Sequence, residues 1–188
     1  MWQPWNSMRA GGAVTEALSH LPEDYVVVSD IILPESQVEI DHIVAGPNGL
    51  FAIETKDWSG DVKCKGHDWF VDRKRIPSPG RPVQRKAAAL RQSLVTMTYD
   101  GERKIPAVSA ILAFSHPEVT VGVQEPAVPA MRAEELASFI IHYNVSQLVD
   151  EERAGIVRHL ASFPSRTKED AGFLGLKFIS RALRPATA

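Results

Sequence analysis

The sequence lacks the features that mark several protein classes. It has a single cysteine, Cys64, among 188 residues, which excludes an internal disulfide and a four-cysteine zinc site. No apolar run approaches the ~18 residues that a membrane-spanning helix requires. Residues 1–5 lack the basic and then apolar pattern of a secretion signal. These absences predict a soluble protein of the reducing cytoplasm, with no membrane partner.

The chain as a whole also lacks a strong charge of either sign. Its formal net charge of −2 excludes a generally basic coat, although it leaves local patches open. Apolar residues make up 44% and charged residues 23%, values typical of a globular domain rather than of a disordered chain. A chain of 188 residues can form one domain with a sizeable core.

Hydrophobic periodicity divides the chain into alternating classes of secondary structure. The predicted helices are residues 11–20, 82–99, 133–142 and 146–163. The predicted strands are residues 25–33, 37–45, 50–56, 61–65, 69–71, 107–114 and 119–124, the last of them an edge strand. The order helix, three strands, helix, strand in the middle of the chain predicts an α/β fold with a mixed sheet between helices.

The same pattern predicts how the chain is organised. Residues 1–10 are expected to form a lead-in, and residues 11–125 the core. Residues 126–188 are expected to form a helical extension that packs on the same domain, with residues 173–176 docked on its core.

Two acids and a lysine interrupt neighbouring apolar strands. Glu54 and Lys56 are two residues apart on a predicted strand, so their side chains leave the same face. Burial of an unpaired charge is costly, which makes their presence there unusual. Asp41 is a similar exception in the preceding strand. The three side chains are therefore candidates for a shared site.

The turn Gly46-Pro47-Asn48-Gly49 decides whether Asp41 joins the other two residues. If residues 48–49 form a two-residue loop, Asp41 lies opposite Lys56 and diagonal to Glu54. If residues 47–48 form the turn and are followed by a bulge, the register slips by one residue and Asp41 faces away. A second bulge would then be needed to restore it. Both arrangements are compatible with the sequence.

The residue types suit metal-assisted chemistry on a phosphate ester. Two carboxylates with the backbone carbonyl of Thr55 form an oxygen-rich set of the kind that binds Mg²⁺ or Mn²⁺. Such a metal polarises a phosphoryl oxygen and activates a bound water. Lys56 could orient that water or stabilise negative charge at phosphorus. The residues alone are equally compatible with an ordinary buried salt bridge between Lys56 and one acid.

Five stretches resemble the NERD (nuclease-related) domain, a branch of the PD-(D/E)xK nuclease superfamily, in order and spacing from Gly12 to about Leu94. They are Gly12–Glu16, Gln37–Val44, Gly49–Lys56, Trp58–Gly60 and Pro82–Gln84. The resemblance implies a restriction-endonuclease-like mixed sheet of αβββαβ order. It also implies a metal-dependent nuclease that hydrolyses phosphodiester bonds, with DNA favoured.

The resemblance also implies residue roles. Asp41 and Glu54 would bind the Mg²⁺ or Mn²⁺ ion, and Lys56 would be the catalytic lysine. Glu16 would be a helix-borne acid that joins the site, and Gln84 the polar residue of the later helix. The sequence departs from the family pattern twice: Ile40 precedes Asp41 where the superfamily name has proline, and Arg81 precedes Pro82 where asparagine is expected.

A basic segment follows the candidate site. Between Lys63 and Arg91 there are nine basic residues and only two acids. The basic residues are Lys63, Lys65, Arg73, Lys74, Arg75, Arg81, Arg85, Lys86 and Arg91. They are predicted to contact the phosphate backbone of nucleic acid, with weak sequence preference.

Two further function classes remain alternatives. The chain could be a catalytically inactive nucleic-acid-binding domain with a nuclease-like fold. It could also be a protein-interaction domain that uses its C-terminal helices. The oligomeric state is left open, with a homodimer as one option.

Overall fold

The computed structural model of the protein describes residues 7–95 and 105–166. The helices there are α1 (Ser7–Ser19), α2 (Gly80–Val95), α3 (Leu136–His142, preceded by the 3₁₀ turn Ala133–Glu135) and α4 (Asp150–Ala161). The strands are β1 (Val26–Leu33), β2 (Val38–Gly46), β3 (Gly49–Lys56), β4 (Gly60–Lys65), β5 (Asp68–Val71), β6 (Lys74–Ile76), β7 (Val108–Phe114), β8 (Val119–Gln124) and β9 (Ala130–Arg132). Within this described part of the chain, no helix is long and apolar enough to cross a membrane.

The main sheet has five strands in the order β1-β2-β3-β7-β9. The first three strands are antiparallel neighbours, and β7 then pairs parallel to β3. Such a parallel pair needs a crossover connection, and α2 lies within the connection between β3 and β7. The predicted α/β class and the αβββαβ order with a mixed sheet are confirmed.

A second sheet has the order β6-β5-β4-β8. The strands predicted at residues 61–65 and 69–71 are thus joined by a third strand that was not predicted, because a turn at Asp72 and Arg73, both with positive φ, adds β6. Strand β8 pairs parallel with β4 rather than with the main sheet. The edge position predicted for residues 119–124 is confirmed, although the edge belongs to this second sheet.

Several element boundaries differ from those predicted. Helix α1 begins at Ser7, four residues before the predicted start at residue 11, because the good helix formers at positions 8–10 extend it towards the N-terminus. Helix α4 begins at Asp150 rather than at residue 146, with three acids in its first turn, where negative charge suits the helix dipole.

The C-terminal segment is not purely helical, since β9 (Ala130–Arg132) pairs parallel with β7 in the main sheet. Residues 96–99 of the predicted long helix lie outside the described residues. The segment at 173–176 that was predicted to dock on the core also lies outside them. The domain limits stay a prediction.

Apolar side chains cover both faces of the main sheet. On one face, α2, α4 and the second sheet enclose a core that includes Leu50 and Ala52 of β3. On the other face, α1 and α3 pack against Phe51 and Ile53. Because side chains alternate along a strand, Glu54 continues the row of Leu50 and Ala52. The candidate site therefore lies on the face that α2 covers.

Candidate active site

The β2–β3 turn differs from both arrangements considered for it. Gly46 pairs with Gly49, so Pro47 and Asn48 alone form the loop and no bulge follows. Relative to a loop at residues 48–49 the register shifts by two, and an even shift leaves every side chain on the same face. Gly49 has φ +137, and a Cβ there would lie 2.6 Å from Val145 Cβ, so a glycine is required. The turn thereby directs Asp41 to the Glu54 face.

Asp41 lies just beyond the regular β2–β3 pairing. The last paired residues are His42 and Ile53, and Asp41 Oδ2 accepts a hydrogen bond of 2.8 Å from the Thr55 backbone N–H. This bond holds the carboxylate beside the end of β3. The structure therefore brings Asp41, Glu54 and Lys56 together.

Glu54 is the centre of the site because each of its oxygens contacts a different ammonium group. Lys56 Nζ lies 2.7 Å from Oε1. Lys86 Nζ, which comes from α2, contacts Oε2 and lies 3.6 Å from Asp41 Oδ1. The Glu54 side chain is 11% exposed, against 27% for Lys56 and 20% for Lys86. We call Asp41, Glu54, Lys56 and Lys86 the acid–lysine cluster.

The two acids of the cluster have pKa values displaced in opposite directions. Burial raises the pKa of Asp41, and the neighbouring Glu54 charge raises it further, against the Thr55 N–H and Lys86. Burial also raises the pKa of Glu54, but the hydrogen bonds from Lys56 and Lys86 outweigh burial, and the net shift is downward. Glu54 is thus the better compensated of the two carboxylates.

Lys86 was predicted to contact phosphate, but its side chain points to the two acids. Its position explains why. Val83 and Leu90 are fully buried positions of α2, and Lys86 lies three residues after the first and four before the second. Residues at these spacings share one face of a helix, so Lys86 borders the face that packs on the sheet. This spacing was a readable sequence signal.

Gln84 and Glu16 do not join the cluster. Gln84 is exposed and its Nε2 donates a hydrogen bond of 3.2 Å to Ala127 O, because it lies two residues from Lys86 and so on another side of α2. Glu16 is exposed on α1, which packs against the opposite face of the main sheet. Within residues 7–95 and 105–166, no group of three His, Cys, Asp or Glu side chains is placed to hold a metal.

Comparison with known proteins identifies the family. The family model described as nuclease-related domain, NERD, matches residues 9–115, which is more than half of the 188 residues and includes all four cluster residues. The chain belongs to the NERD family. It is therefore nuclease-related and a member of the PD-(D/E)xK-like superfamily, whose domains generally use divalent metals. No curated protein and no solved structure matches the chain significantly.

Two aromatic residues next to the cluster are structural in this NERD domain. Trp58 packs on Phe114 with ring centroids 5.7 Å apart. His42 is buried on the face opposite the cluster, and its Nδ1 lies 2.8 Å from Ser29 Oγ. Burial lowers the pKa of His42, so it is neutral near pH 7 and does not supply a proton to the cluster.

The other predicted phosphate contacts of the NERD domain form two groups. Arg81, Arg85 and Arg91 are exposed along α2, while Lys63, Lys65, Arg73, Lys74 and Arg75 are exposed on the second sheet or its turn. Lys63 pairs with Asp61 at 2.7 Å and Arg75 with Asp68 at 2.5 Å. Both ion pairs are largely exposed, so they contribute little to stability and can be exchanged for phosphate contacts.

An aromatic side chain lies within the basic group on the second sheet. Phe70 is paired in register with Lys63 on one side and with Arg75 on the other. It is partly exposed, whereas its neighbour Trp69 is buried on the opposite face. We call Lys63, Lys65, Phe70 and Arg75 the basic sheet face. Sequence reasoning missed Phe70 because only the strand register reveals its position between two cations.

Proposed function

We propose that the protein is a metal-dependent nuclease that hydrolyses phosphodiester bonds of nucleic acid, with DNA as the favoured substrate. The observation that carries the proposal is the acid–lysine cluster itself. The carboxylates of Asp41 and Glu54, from adjacent strands, both face the ammonium of Lys86. A second lysine, Lys56, lies on the same strand as Glu54 and contacts it. The proposed roles of Asp41 and Glu54 are metal binding, and that of Lys56 is catalysis.

The acid pair fits a divalent cation in chemical terms. Asp41 Oδ1 and Glu54 Oε2 face a common ammonium, so a positive charge is accommodated between them. Burial and then repulsion from Glu54 raise the pKa of Asp41, and a cation with two charges would relieve that repulsion. The carbonyl of Thr55 would complete an oxygen set of the kind that Mg²⁺ or Mn²⁺ prefers. When bound, the metal would polarise the phosphoryl oxygens of the substrate.

Lys56 has the position of a group that stabilises charge. Its hydrogen bond to Glu54 Oε1 fixes the ammonium beside the acid pair, and the side chain is 27% exposed, so the ammonium can also donate to the substrate. Hydrolysis breaks a P–O bond while negative charge builds on the phosphoryl oxygens. An ammonium held in place before the reaction stabilises that charge without reorganisation. Glu54 stays ionised near neutral pH because both lysines lower its pKa.

We propose that the nucleic acid lies along the basic residues of the second sheet and of α2. Exposed lysine and arginine side chains neutralise phosphates whatever the base sequence, which supports weak sequence preference. The basic sheet face adds an aromatic ring, Phe70, on which an unpaired base can stack between Lys63 and Arg75. This feature favours substrates with a single-stranded segment.

Cleavage by the purified chain tests the proposal. Labelled single- and double-stranded DNA and RNA are incubated with Mn²⁺, Mg²⁺ or chelator. We expect divalent-dependent cleavage that falls roughly 10²–10⁴-fold in Glu54→Gln and in Lys56→Met, the range for loss of one catalytic group. Glu118→Gln is the matched control, because Glu118 is exposed and remote in sequence from the site. Equal cleavage by wild type and both site variants would refute the assignment.

The substrate surface has its own test. Phe70→Ala is expected to weaken binding of single-stranded DNA about 5–100-fold, the range given by loss of one stacked base, and to leave duplex binding nearly unchanged. Lys63→Met is expected to weaken both and to flatten the dependence of affinity on salt. If Phe70→Ala weakens duplex and single strand alike, the stacking role is wrong.

A nucleic-acid-binding domain that does not cut is the second candidate. The observation that favours it is the charge balance of the cluster, in which two lysines already compensate two acids. That arrangement is also what a structural ion-pair network requires. This second candidate predicts salt-sensitive binding of nucleic acid in chelator and no cleavage product with Mn²⁺ or Mg²⁺. A nuclease activity that purifies with the wild-type protein and is lost in Glu54→Gln would refute the non-cutting candidate.

We propose the reducing cytoplasm as the place of action and leave the homodimer as a proposal for sizing experiments. Cys64, the one cysteine of the sequence, is buried and its Sγ lies 3.3 Å from Gly66 O. Burial raises the pKa of this thiol, which keeps it protonated and unreactive. A buried thiol of this kind supports no disulfide role.

A further inference from the structure

We propose that Lys86 is an exchangeable cation that occupies the metal position of the acid pair and must leave when a divalent metal binds. The inference rests on the proposed metal binding by Asp41 and Glu54. It gives Lys86 a role that differs from the phosphate contact expected for it, and it makes metal affinity a property that α2 controls.

The first step of the argument is position. Lys86 Nζ contacts Glu54 Oε2 and lies 3.6 Å from Asp41 Oδ1. It is thus placed between the two oxygens that a shared metal would ligate. Mg²⁺ requires ligand oxygens at about 2.0–2.1 Å, a distance that leaves no room for an ammonium between the same atoms. Metal and Lys86 therefore compete for one place.

The second step is the difference between the two lysines. Lys56 lies on β3, two residues from Glu54, and contacts the other carboxylate oxygen, Oε1. It can keep that contact while Oε2 changes partner. Lys86 reaches the acids from α2 with a flexible four-carbon stem, and its side chain is 20% exposed. A path to solvent is therefore open to Lys86, and exposed basic side chains lie next to it on the same helix, Arg85 for example.

The third step is the energy of exchange. A metal that enters must break two attractive contacts of Lys86, and those contacts lower the apparent affinity of the site for the metal. Removal of the ammonium should therefore tighten metal binding. Removal of Lys56 should tighten it less, because Lys56 contacts Glu54 Oε1, whereas Lys86 contacts Glu54 Oε2 and also lies near Asp41 Oδ1. A general electrostatic effect would instead make the two lysines equivalent.

Direct titration with Mn²⁺, followed by calorimetry or by the spin resonance of free Mn²⁺, tests the inference without any substrate. We expect Lys86→Met to lower the Kd for Mn²⁺ at least tenfold, and Lys86→Gln to act likewise. Lys86→Arg should leave the Kd near the wild-type value, and Lys56→Met should lower it less than Lys86→Met. The charge-matched control is Arg158→Met, an exposed position on α4, which should not change the Kd.

Three outcomes overturn the inference. They are an unchanged or weaker affinity in folded Lys86→Met, an equal gain in Lys56→Met, and failure of both Lys86→Met and Lys86→Gln to fold, which would make Lys86 a structural ion-pair partner. The result is separable from the nuclease proposal. A tighter site in a protein that never cuts supports the exchange and refutes the nuclease. If the wild type cuts nucleic acid but Lys86→Met binds Mn²⁺ with the wild-type Kd, the nuclease proposal is supported and the exchange is refuted.

Discussion

Glu54→Gln in the metal-free protein is the sharpest test of how the acid–lysine cluster is held together. The substitution keeps the shape of the side chain and removes its charge. Lys56 and Lys86 then lose the carboxylate that each contacts, and Asp41, at 3.6 Å from Lys86, is the nearest remaining acid. Two partly buried ammonium groups are left with weak compensation.

The size of the effect follows from burial. Breaking a fully buried pair costs about 3–5 kcal/mol, and breaking an exposed one costs ~0–1 kcal/mol. With side chains 11%, 20% and 27% exposed, the cluster lies between these limits, so we expect a loss of about 2–3 kcal/mol. In a chain of this size that corresponds to a fall in Tm of roughly 4–12 °C.

The measurement is urea and thermal unfolding near pH 7 in chelator, followed by circular dichroism. Glu118→Gln, an exposed acid outside the acid–lysine cluster, should stay within about 0.5 kcal/mol of wild type. A Glu54→Gln variant whose free energy of unfolding is not lowered would decide against this account. If Glu54→Gln is as stable as wild type or more so, repulsion between Asp41 and Glu54 outweighs the lysine contacts, and the ion-paired description of the cluster is refuted.

Three further results are expected. Asp41→Asn should raise the Tm of the metal-free protein near neutral pH. Burial and the Glu54 charge raise the pKa of Asp41, so its charged form is disfavoured on folding. A lower Tm would contradict this. The depressed pKa of Glu54 gives stability that is present above its ordinary value of 4.5 and is lost as pH falls through the pKa of the folded protein. The free energy of unfolding should therefore fall less steeply with decreasing pH in Glu54→Gln than in wild type. It should fall more steeply in Asp41→Asn, because the raised pKa of Asp41 has the opposite effect. Asn48→Ala should cost about 1–3 kcal/mol in urea unfolding, because Asn48 Nδ2 donates to the carbonyls of Ile140 and Tyr143 at the end of α3; unchanged stability would show that these bonds are replaced by water.

Sequence patterns predicted the elements of this domain better than the contacts between them. The alternation of β3 was enough to place Glu54 and Lys56 on one face, because side-chain direction along a strand is a local property. The helical spacing of Val83, Lys86 and Leu90 was an equally local signal for the buried face of α2, but it was not used, and Lys86 was predicted to contact phosphate. By contrast, the pairing of β8 with β4 is a long-range choice. Nothing within residues 119–124 distinguishes one sheet edge from another.

The turn before β3 shows why the contacts were harder to predict from the sequence than the elements. Gly46, Pro47, Asn48 and Gly49 each favour a turn, yet the register depends on which pair forms the loop. That choice is fixed by contacts from outside the hairpin. Asn48 is drawn towards α3 by its bonds to Ile140 O and Tyr143 O. The position of Asp41 therefore depends on residues more than 90 positions later in the chain.

The origin of the two lysines gives the cluster its proposed chemistry. A carboxylate pair on adjacent strands repels itself, and a protein that must fold before a metal arrives needs another positive charge in the same place. Lys56, from the strand of Glu54, cannot move far from its acid. Lys86, from a helix across the site, is the lysine that we propose to exchange with a metal and then to face the substrate. A purely structural network has no use for such an exchangeable member, so the metal affinity of Lys86→Met separates a metal site with an exchangeable lysine from an ion pair that only stabilises the fold.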